Sequence, residues 1–407
     1  MIATFTPSCA KGTVCAPPSK SMAHRYLICA ALANNTSTIK NIDFSQDVLA
    51  TLDCISALGG TYVIDGNCVQ ITGCPDIRSL DESTFECRES GSTLRFFLAL
   101  GMLSPSVKTY HGSTTLISRP QSVYTDICNK LGIRFEISQN SIELEGCLQA
   151  TDYSIAGNIS SQFITGLLFA LPLLNGDSTI RLIPPVESAS YIDMTLLALK
   201  QFGINIEKND NYTYTVKGNQ KYVSTNITVE GDYSNAAFLD GFNLLNGNVD
   251  VTGLIDNSLQ GDSIYKKHYN TLANCDNPCI DISDCPDLGP VLMALAAAGN
   301  GAHFTGTQRL QYKESNRGAA MSEELNKLGI KCELKEDSIL VKKGVLTAPT
   351  VTLHGHNDHR IVMALSLLLS CYGGSIDDAQ AVNKSYPGFW DDIKKLGIEV
   401  HINGMDK

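Results

Sequence analysis

Residues 19–33, SKSMAHRYLICAALA, open on charged and hydroxyl side chains and then run apolar for the length of a helix. The apolar part carries no polar stripe, and a helix that is hydrophobic all round must be buried on every side. The same two-part stretch returns five times: ESGSTLRFFLALGML at 89–103, NISSQFITGLLFALPLL at 158–174, DYSNAAFLDGFNLL at 232–245, DCPDLGPVLMALAAA at 284–298 and NDHRIVMALSLLLS at 357–370. The six openings lie about 70 residues apart, except for a shorter fourth interval, and so mark an internal repeat.

Between these runs the sequence predicts a second, amphipathic helix that closes on glycine and passes into a short strand. The endings are ALGGTYVI (Gly59, Gly60), KLGIRFEI (Gly132), QFGINIEK (Gly203), KLGIKCEL (Gly329) and KLGIEVHI (Gly397); the fourth copy, near 265–276, lacks one. Alternating stretches such as Thr213–Val216 and Ser338–Val341 predict strands around the helices. At 407 residues the chain exceeds the roughly 250–300 that one core fills. Two sets of three units account for the length, with the break near Val229–Asp232, giving an α/β fold. If the buried helices of a domain run parallel, their N-termini pool positive dipole ends and unsatisfied N–H groups, which suits an anion-binding cleft.

The openings carry the wrong charges for helix stability. Lys20, Arg25, Arg95, His359 and Arg360 are cations at helix N-termini, where the dipole disfavours them. The segment KESNRGAAMSEELNKLGI is expected to be a helix over 313–330, which places Lys313 and Arg317 one turn apart on one face with Glu314 beside them. An anion with several oxygens is the common cause that explains these cations. Ser19, Ser21, Ser160, Ser161 and Gln162 suit a substrate with hydroxyls of its own, although each also serves as an ordinary helix cap. Gly91 allows close backbone approach, and Asp287, among dipoles and cations, is expected to be ionised and usable as a base.

Composition narrows the partners. Thirty-one basic against 42 acidic residues give a net charge of −11, which argues against nucleic acid and anionic membranes. The start is not a secretory signal, and runs such as 361–371 are about half a bilayer span. The 14 cysteines are expected to be reduced thiols in a cytoplasmic protein. Cys275, Cys279 and Cys285 lack zinc-knuckle spacing, and His354, His356 and His359 lack a helical ligand pair, so no metal is expected. No Ser-His-Asp arrangement and no phosphate loop is present.

Taken together, Pro18-Ser19-Lys20-Ser21 with Arg25, the Gly91–Arg95 segment, Arg119-Pro120, Ser160-Ser161-Gln162, Lys313-Glu314-Ser315-Asn316-Arg317, Asp358-His359-Arg360 and Lys384-Ser385-Tyr386-Pro387 resemble the EPSP synthase (3-phosphoshikimate 1-carboxyvinyltransferase) family over nearly the whole chain. The resemblance implies a two-domain inside-out α/β barrel, three βαβαββ-type repeats per domain around buried parallel helices. Domains are then expected at 13–228 and 229–407, with strand 1–12 crossing to the second.

It implies a transferase of the shikimate pathway of aromatic amino-acid biosynthesis, acting without metal or organic cofactor on two small molecules, with no nucleic-acid or membrane partner, and a monomer is expected. Phosphoenolpyruvate would be held by Lys20, Gly91, Arg119, Gln162, Arg317, Arg360 and Lys384. Shikimate 3-phosphate would be held by Lys20, Ser21, Arg25, Ser160, Ser161, Gln162, Ser188, Asp287, Arg309 and Lys313. Asp287 would take the hydroxyl proton, and Glu314 with Lys20 would handle the proton at the methylene. Glu89 stands where many members carry Asn, Phe96 where several have Pro and Arg309 where Asn is often found, and the uncrowded Gly91 implies inhibition by glyphosate. Two rivals share the fold: a UDP-N-acetylglucosamine enolpyruvyl transferase, disfavoured by Thr114 where that enzyme has a cysteine, and an RNA-end-processing relative, disfavoured by charge. A non-catalytic anion binder would leave Asp287 and Glu314 without a purpose.

Overall fold

The computed structural model describes residues 1–74 and 76–404. All six apolar runs are helices, spanning Lys20–Leu32, Gly91–Gly101, Ser161–Ala170, Tyr233–Gly241, Gly289–Ala298 and His359–Tyr372. Their side chains fill two hydrophobic cores, three helices to each. The chain divides into two compact units, Lys20–Val229 and Met1–Ser19 with Glu230–Lys407.

The unit Lys20–Val229 repeats one sheet three times. In the sheet ordered Asp152–Ala156, Ser178–Ile183, Thr213–Val216, Ile206–Lys208, the first pair is parallel and the others antiparallel. A buried helix, Ser161–Ala170, connects the parallel pair, and an amphipathic one, Ala189–Gln201, leads to the hairpin. The sheet ordered Ser83–Glu86, Lys108–His111, Ser141–Glu145, Arg134–Ile137 has the same pattern. The remaining sheet takes its parallel first strand from Asn226–Thr228, at the far end of the unit, beside Thr36–Lys40. The first repeat is therefore completed by the last strand.

In the other unit one sheet is continuous in sequence: Cys279–Asp281, Ala302–Thr305, Ser338–Val341, Cys332–Leu334. The N-terminal segment completes its two neighbours. Ile2–Phe5 lies antiparallel between Gly374–Ile376 and Val400–Asn403, and Lys11–Cys15 pairs in parallel with Asn248–Thr252. The segment assigned to this unit thus runs to Ser19 rather than stopping at 12, because the second strand's ladder partners and the buried Val14 belong to this core.

The glycines that end the amphipathic helices, Gly59, Gly132, Gly203, Gly329 and Gly397, all have positive φ, between 69° and 95°. An L side chain there is strained, so the helix stops where the glycine stands. The copy without glycine, Tyr265–Asn274, ends instead at Cys275 in extended conformation.

One expected boundary moves. The helix predicted over 313–330 spans Arg317–Lys327, and Lys313 is extended, outside it. Asn316 is the cap, its side chain accepting from the Ala319 N–H at 3.2 Å. Such a cap satisfies a donor that Lys313 or Glu314 would leave open, which fixes the start four residues later than the apolar spacing suggested. No helix among the described residues is long and apolar enough to cross a membrane.

Candidate active site

In the unit Lys20–Val229 the misplaced cations are held by neighbouring elements. Lys20, the first residue of its helix, pairs with Asp47 at 2.8 Å. Asp47 stands in the first turn of Gln46–Ala57, where a carboxylate also suits the dipole. Arg95 donates to Gln162 Oε1 at 2.6 Å and to the Pro120 carbonyl at 3.0 Å, with its guanidinium 4.7 Å from the Phe163 ring centroid. Gln162 Nε2 donates to Ser92 Oγ at 2.9 Å. This one amide therefore bridges the N-termini of two buried helices.

Gly91 opens the helix beside it, and a Cβ there would fall 2.9 Å from Arg119 Nη1 and 3.7 Å from Gln162 Oε1. Gly91, Arg119 and Gln162 are thus brought together as a small polar surface. Arg119 Nε is buried without a hydrogen-bond partner among the described residues. Ser160 Oγ caps the Ser161–Ala170 helix by accepting from the Gln162 N–H at 3.3 Å, so its ordinary capping role is real.

Arg25 is buried and donates to three protein acceptors: Thr195 Oγ1 at 2.9 Å, the Ser21 carbonyl at 2.7 Å and the Tyr191 carbonyl at 2.9 Å. Burial draws its pKa down to about 10, with Tyr191, Cys29 and Tyr26 opposing, so it stays charged at neutral pH. It cross-links its own helix to Ala189–Gln201, the helix that follows Ser188, itself buried at φ 55°. Arg25→Ala is therefore expected to lower stability by about 2–3 kcal/mol, as stranded buried acceptors require. Thermal unfolding of the variant checks this.

In the other unit Asp287 is the meeting point. Its Oδ1 accepts from Arg317 Nη1 at 2.7 Å and pairs with Lys313 Nζ at 3.0 Å; its Oδ2 accepts from Arg360 at 3.3 Å. Lys313 and Arg317 converge as expected, although from a turn and a helix start and onto a protein carboxylate. Arg317, 1% exposed, also donates to Asp358 at 2.9 and 3.2 Å and to Glu314 Oε2 at 2.6 Å. Asp358 caps the helix His359–Tyr372 by accepting from the Arg360 N–H at 2.9 Å, and it receives Ser315 Oγ at 3.0 Å. The turn before it carries two residues at positive φ, His356 and Asn357, and Lys384 braces it by donating to the Asn357 carbonyl at 2.5 Å. Arg309, buried, is an electrostatic neighbour of Lys313.

Burial alone would raise the pKa of Asp287, but Arg360, Lys313 and Arg317 outweigh it and hold the carboxyl well below its ordinary range. A base so encumbered binds protons weakly until something competes for its cations.

The sequence points to no role for three groups here. Asp47 and Asp358 neutralise Lys20 and Arg317, yet each reads in sequence as a helix-start acid. Asp262, buried and hydrogen-bonded by Ser234, sits in a polar stretch that gives no sign of burial. His354 pairs with Asp377 at 2.8 Å and His356 with Glu324 at 3.2 Å, contacts that tie down the segment before Asp358.

Three comparisons bear on this arrangement. A family model described as EPSP synthase (3-phosphoshikimate 1-carboxyvinyltransferase) matches residues 6–393. Proteins named 3-phosphoshikimate 1-carboxyvinyltransferase from Clostridium beijerinckii and Clostridium acetobutylicum are 39% and 38% identical, the first over 96% of both chains, the second over 98% of this one and 97% of its own. An EPSP synthase structure from Acinetobacter baumannii superposes with a TM-score of 0.77 at 22% identity, covering 98% of this chain and 99% of that one. The enolpyruvyl transferase NikO from Streptomyces tendae superposes at 0.78 with 14% identity, covering 98% of each, and shares the fold.

Proposed function

Because the chain belongs to the EPSP synthase (3-phosphoshikimate 1-carboxyvinyltransferase) family, we propose that the cations and carboxylates described above carry that family's reaction here. The enzyme transfers the enolpyruvyl group of phosphoenolpyruvate to the 5-hydroxyl of shikimate 3-phosphate and releases phosphate, a step of the shikimate pathway. Lys20, Gly91, Arg119, Gln162, Arg317, Arg360 and Lys384 bind phosphoenolpyruvate. Ser21, Arg25, Ser160, Ser161 and Ser188, with Lys20 and Gln162, bind shikimate 3-phosphate, as do Asp287, Arg309 and Lys313.

Asp287 takes the proton of the 5-hydroxyl as its oxygen bonds to C2 of phosphoenolpyruvate. Glu314, with Lys20, delivers a proton to the methylene, which becomes a methyl group. The resulting tetrahedral adduct then loses phosphate, which leaves with the electrons of its C–O bond, while the methyl returns its proton to a carboxylate and the enol ether forms. The helix N-termini and guanidinium groups stabilise the charge throughout. The observation that supports this reading best is that Arg317 binds Asp287 and Glu314 together, at 2.7 and 2.6 Å, which holds two proton-transfer groups on one rigid cation.

We place the protein in the cytoplasm as a monomer; its fourteen cysteines are all free thiols, in keeping with a reducing compartment. The test is phosphate release from phosphoenolpyruvate with each acceptor. Release with shikimate 3-phosphate and none with UDP-N-acetylglucosamine is expected, and the reverse would sink the assignment.

Gly91 supplies a sharper check. A methyl group at 2.9 Å from Arg119 Nη1 forces that guanidinium to move, so Gly91→Ala should raise KM for phosphoenolpyruvate by roughly tenfold with a smaller effect on kcat. Inhibition by glyphosate should weaken in parallel. Unchanged KM in the variant would mean Arg119 does not bind this substrate.

A further inference from the structure

We propose that Glu324 is a positioning residue for phosphoenolpyruvate binding: it clamps the left-handed turn 354–357 against its own helix and so sets where Asp358, Arg360 and the backbone partner of Lys384 stand. This rests on the reading of Arg360 and Lys384 as phosphoenolpyruvate ligands.

Glu324 is fully buried, on the same helix, Arg317–Lys327, as the buried Met321 and Leu325. A carboxylate in such a place is costly unless donors meet its oxygens. Three do. Oε2 accepts from the His354 backbone N–H at 2.9 Å, and Oε1 accepts from His356 Nε2 at 3.2 Å and Lys327 Nζ at 2.7 Å. Two of these donors belong to the short segment that precedes Asp358. Glu324 stands seven residues after Arg317, hence two turns along the helix and on the same face. Arg317 holds the end of that segment, donating to Asp358 at 2.9 and 3.2 Å, while Glu324 holds its start. One helix thus fixes the segment at both ends.

The turn needs such a hold. His356 and Asn357 have φ of 52° and 48°, a conformation that residues other than glycine keep only where their surroundings impose it. Asp377 Oδ1 accepts from the Gly355 N–H at 2.7 Å and Asp378 Oδ2 from the Asn357 N–H at 2.8 Å. The Gly355 carbonyl accepts from the Asp358 N–H at 3.0 Å, which delivers Asp358 as the cap of His359–Tyr372, and the Asn357 carbonyl accepts from Lys384 at 2.5 Å. Asp377 and Asp378 are partly open to water, whereas Glu324 is sealed from it. Its grip is therefore the one that solvent cannot replace. A shift of His354 and His356 carries the Asn357 carbonyl and the Asp358 cap with it, and through them Lys384 and Arg360.

The experiment is steady-state kinetics of the full-length enzyme and of two variants that separate reach from charge, with thermal unfolding of each. Glu324→Asp keeps the charge but falls one methylene short of His354 and His356. Glu324→Gln keeps an oxygen at that reach and loses the charge. Glu324→Asp should raise KM for phosphoenolpyruvate roughly tenfold and leave KM for shikimate 3-phosphate within about twofold, whereas Glu324→Gln should keep both within about threefold of the wild type. The reverse order, with Glu324→Gln the more damaged, would make charge the cause and overturn the proposal. So would a lowered Tm with KM for phosphoenolpyruvate unchanged in Glu324→Asp, the result of a purely structural acid. The wild-type enzyme supplies a check that needs no variant: the amide hydrogens of His354, Gly355 and Asn357, each bonded to a carboxylate, should exchange slowly with deuterated solvent, and exchange at the rate of an open loop rules the clamp out. If Lys384→Ala and Arg360→Ala both leave KM for phosphoenolpyruvate unchanged, the underlying assignment of those ligands fails instead.

Discussion

Asp287→Asn lowers kcat by roughly 10³-fold while substrate affinity holds or improves, if Asp287 is the base. The first half follows from chemistry, since an amide cannot take the hydroxyl proton. The second follows from the contacts: Arg317, Lys313 and Arg360 each contribute a bond to this carboxylate, at 2.7, 3.0 and 3.3 Å. Neutralising it weakens the hold on those three groups and leaves more of their charge for the incoming anions. Steady-state kinetics with both substrates varied would show it, and a variant with raised KM and near-normal kcat would reassign Asp287 to binding alone.

Arg317→Leu should cost about 3–5 kcal/mol of stability, because it leaves the buried Asp358 without its guanidinium and removes a cation from Glu314 and Asp287 as well. Asp358 bears most of the loss, being fully buried and bonded to Arg317 through both oxygens. Adding Asp358→Asn to Arg317→Leu should therefore recover part of the stability rather than lower it further. Urea unfolding of the single and double variants measures this. Additive losses would mean that Asp358 and Arg317 stabilise the fold independently, against the geometry seen.

The six buried helices were legible because total burial forces a sequence apolar on all faces, a pattern no surface helix needs. The terminating glycines were legible for a similar reason, since a positive φ leaves few alternatives. What the sequence obscured is pairing between distant segments. Nothing in Asn226–Thr228 marks it as the strand that completes the sheet of Thr36–Lys40, and nothing in Lys11–Cys15 marks Asn248–Thr252 as its partner. Register across such separations is set by which core the strand joins, which short alternating segments do not encode.

The site shows the same division. Cations at helix starts stood out because they violate the dipole preference, and the structure gathers Lys313, Arg317 and Arg360 on Asp287. The acids that compensate them carry no such mark, because Asp47 and Asp358 sit where helix-start acids are ordinary, although Asp358 stands within a motif of the resemblance. Lys313 was drawn into a helix it does not join, since apolar spacing locates a helix face while Asn316 decides where the helix begins.

Proton uptake on ligand binding probes the hand-over of cations most directly. Calorimetric titration of the enzyme with shikimate 3-phosphate alone, in buffers of different ionisation enthalpy near pH 6, reports protons gained per complex. Net uptake is expected as Asp287 surrenders its cations and its proton affinity rises, and Asp287→Asn should abolish most of it. Binding that is proton-silent in the wild-type enzyme, or unchanged in that variant, would contradict the claim that these side chains exchange a protein carboxylate for the substrate's anions.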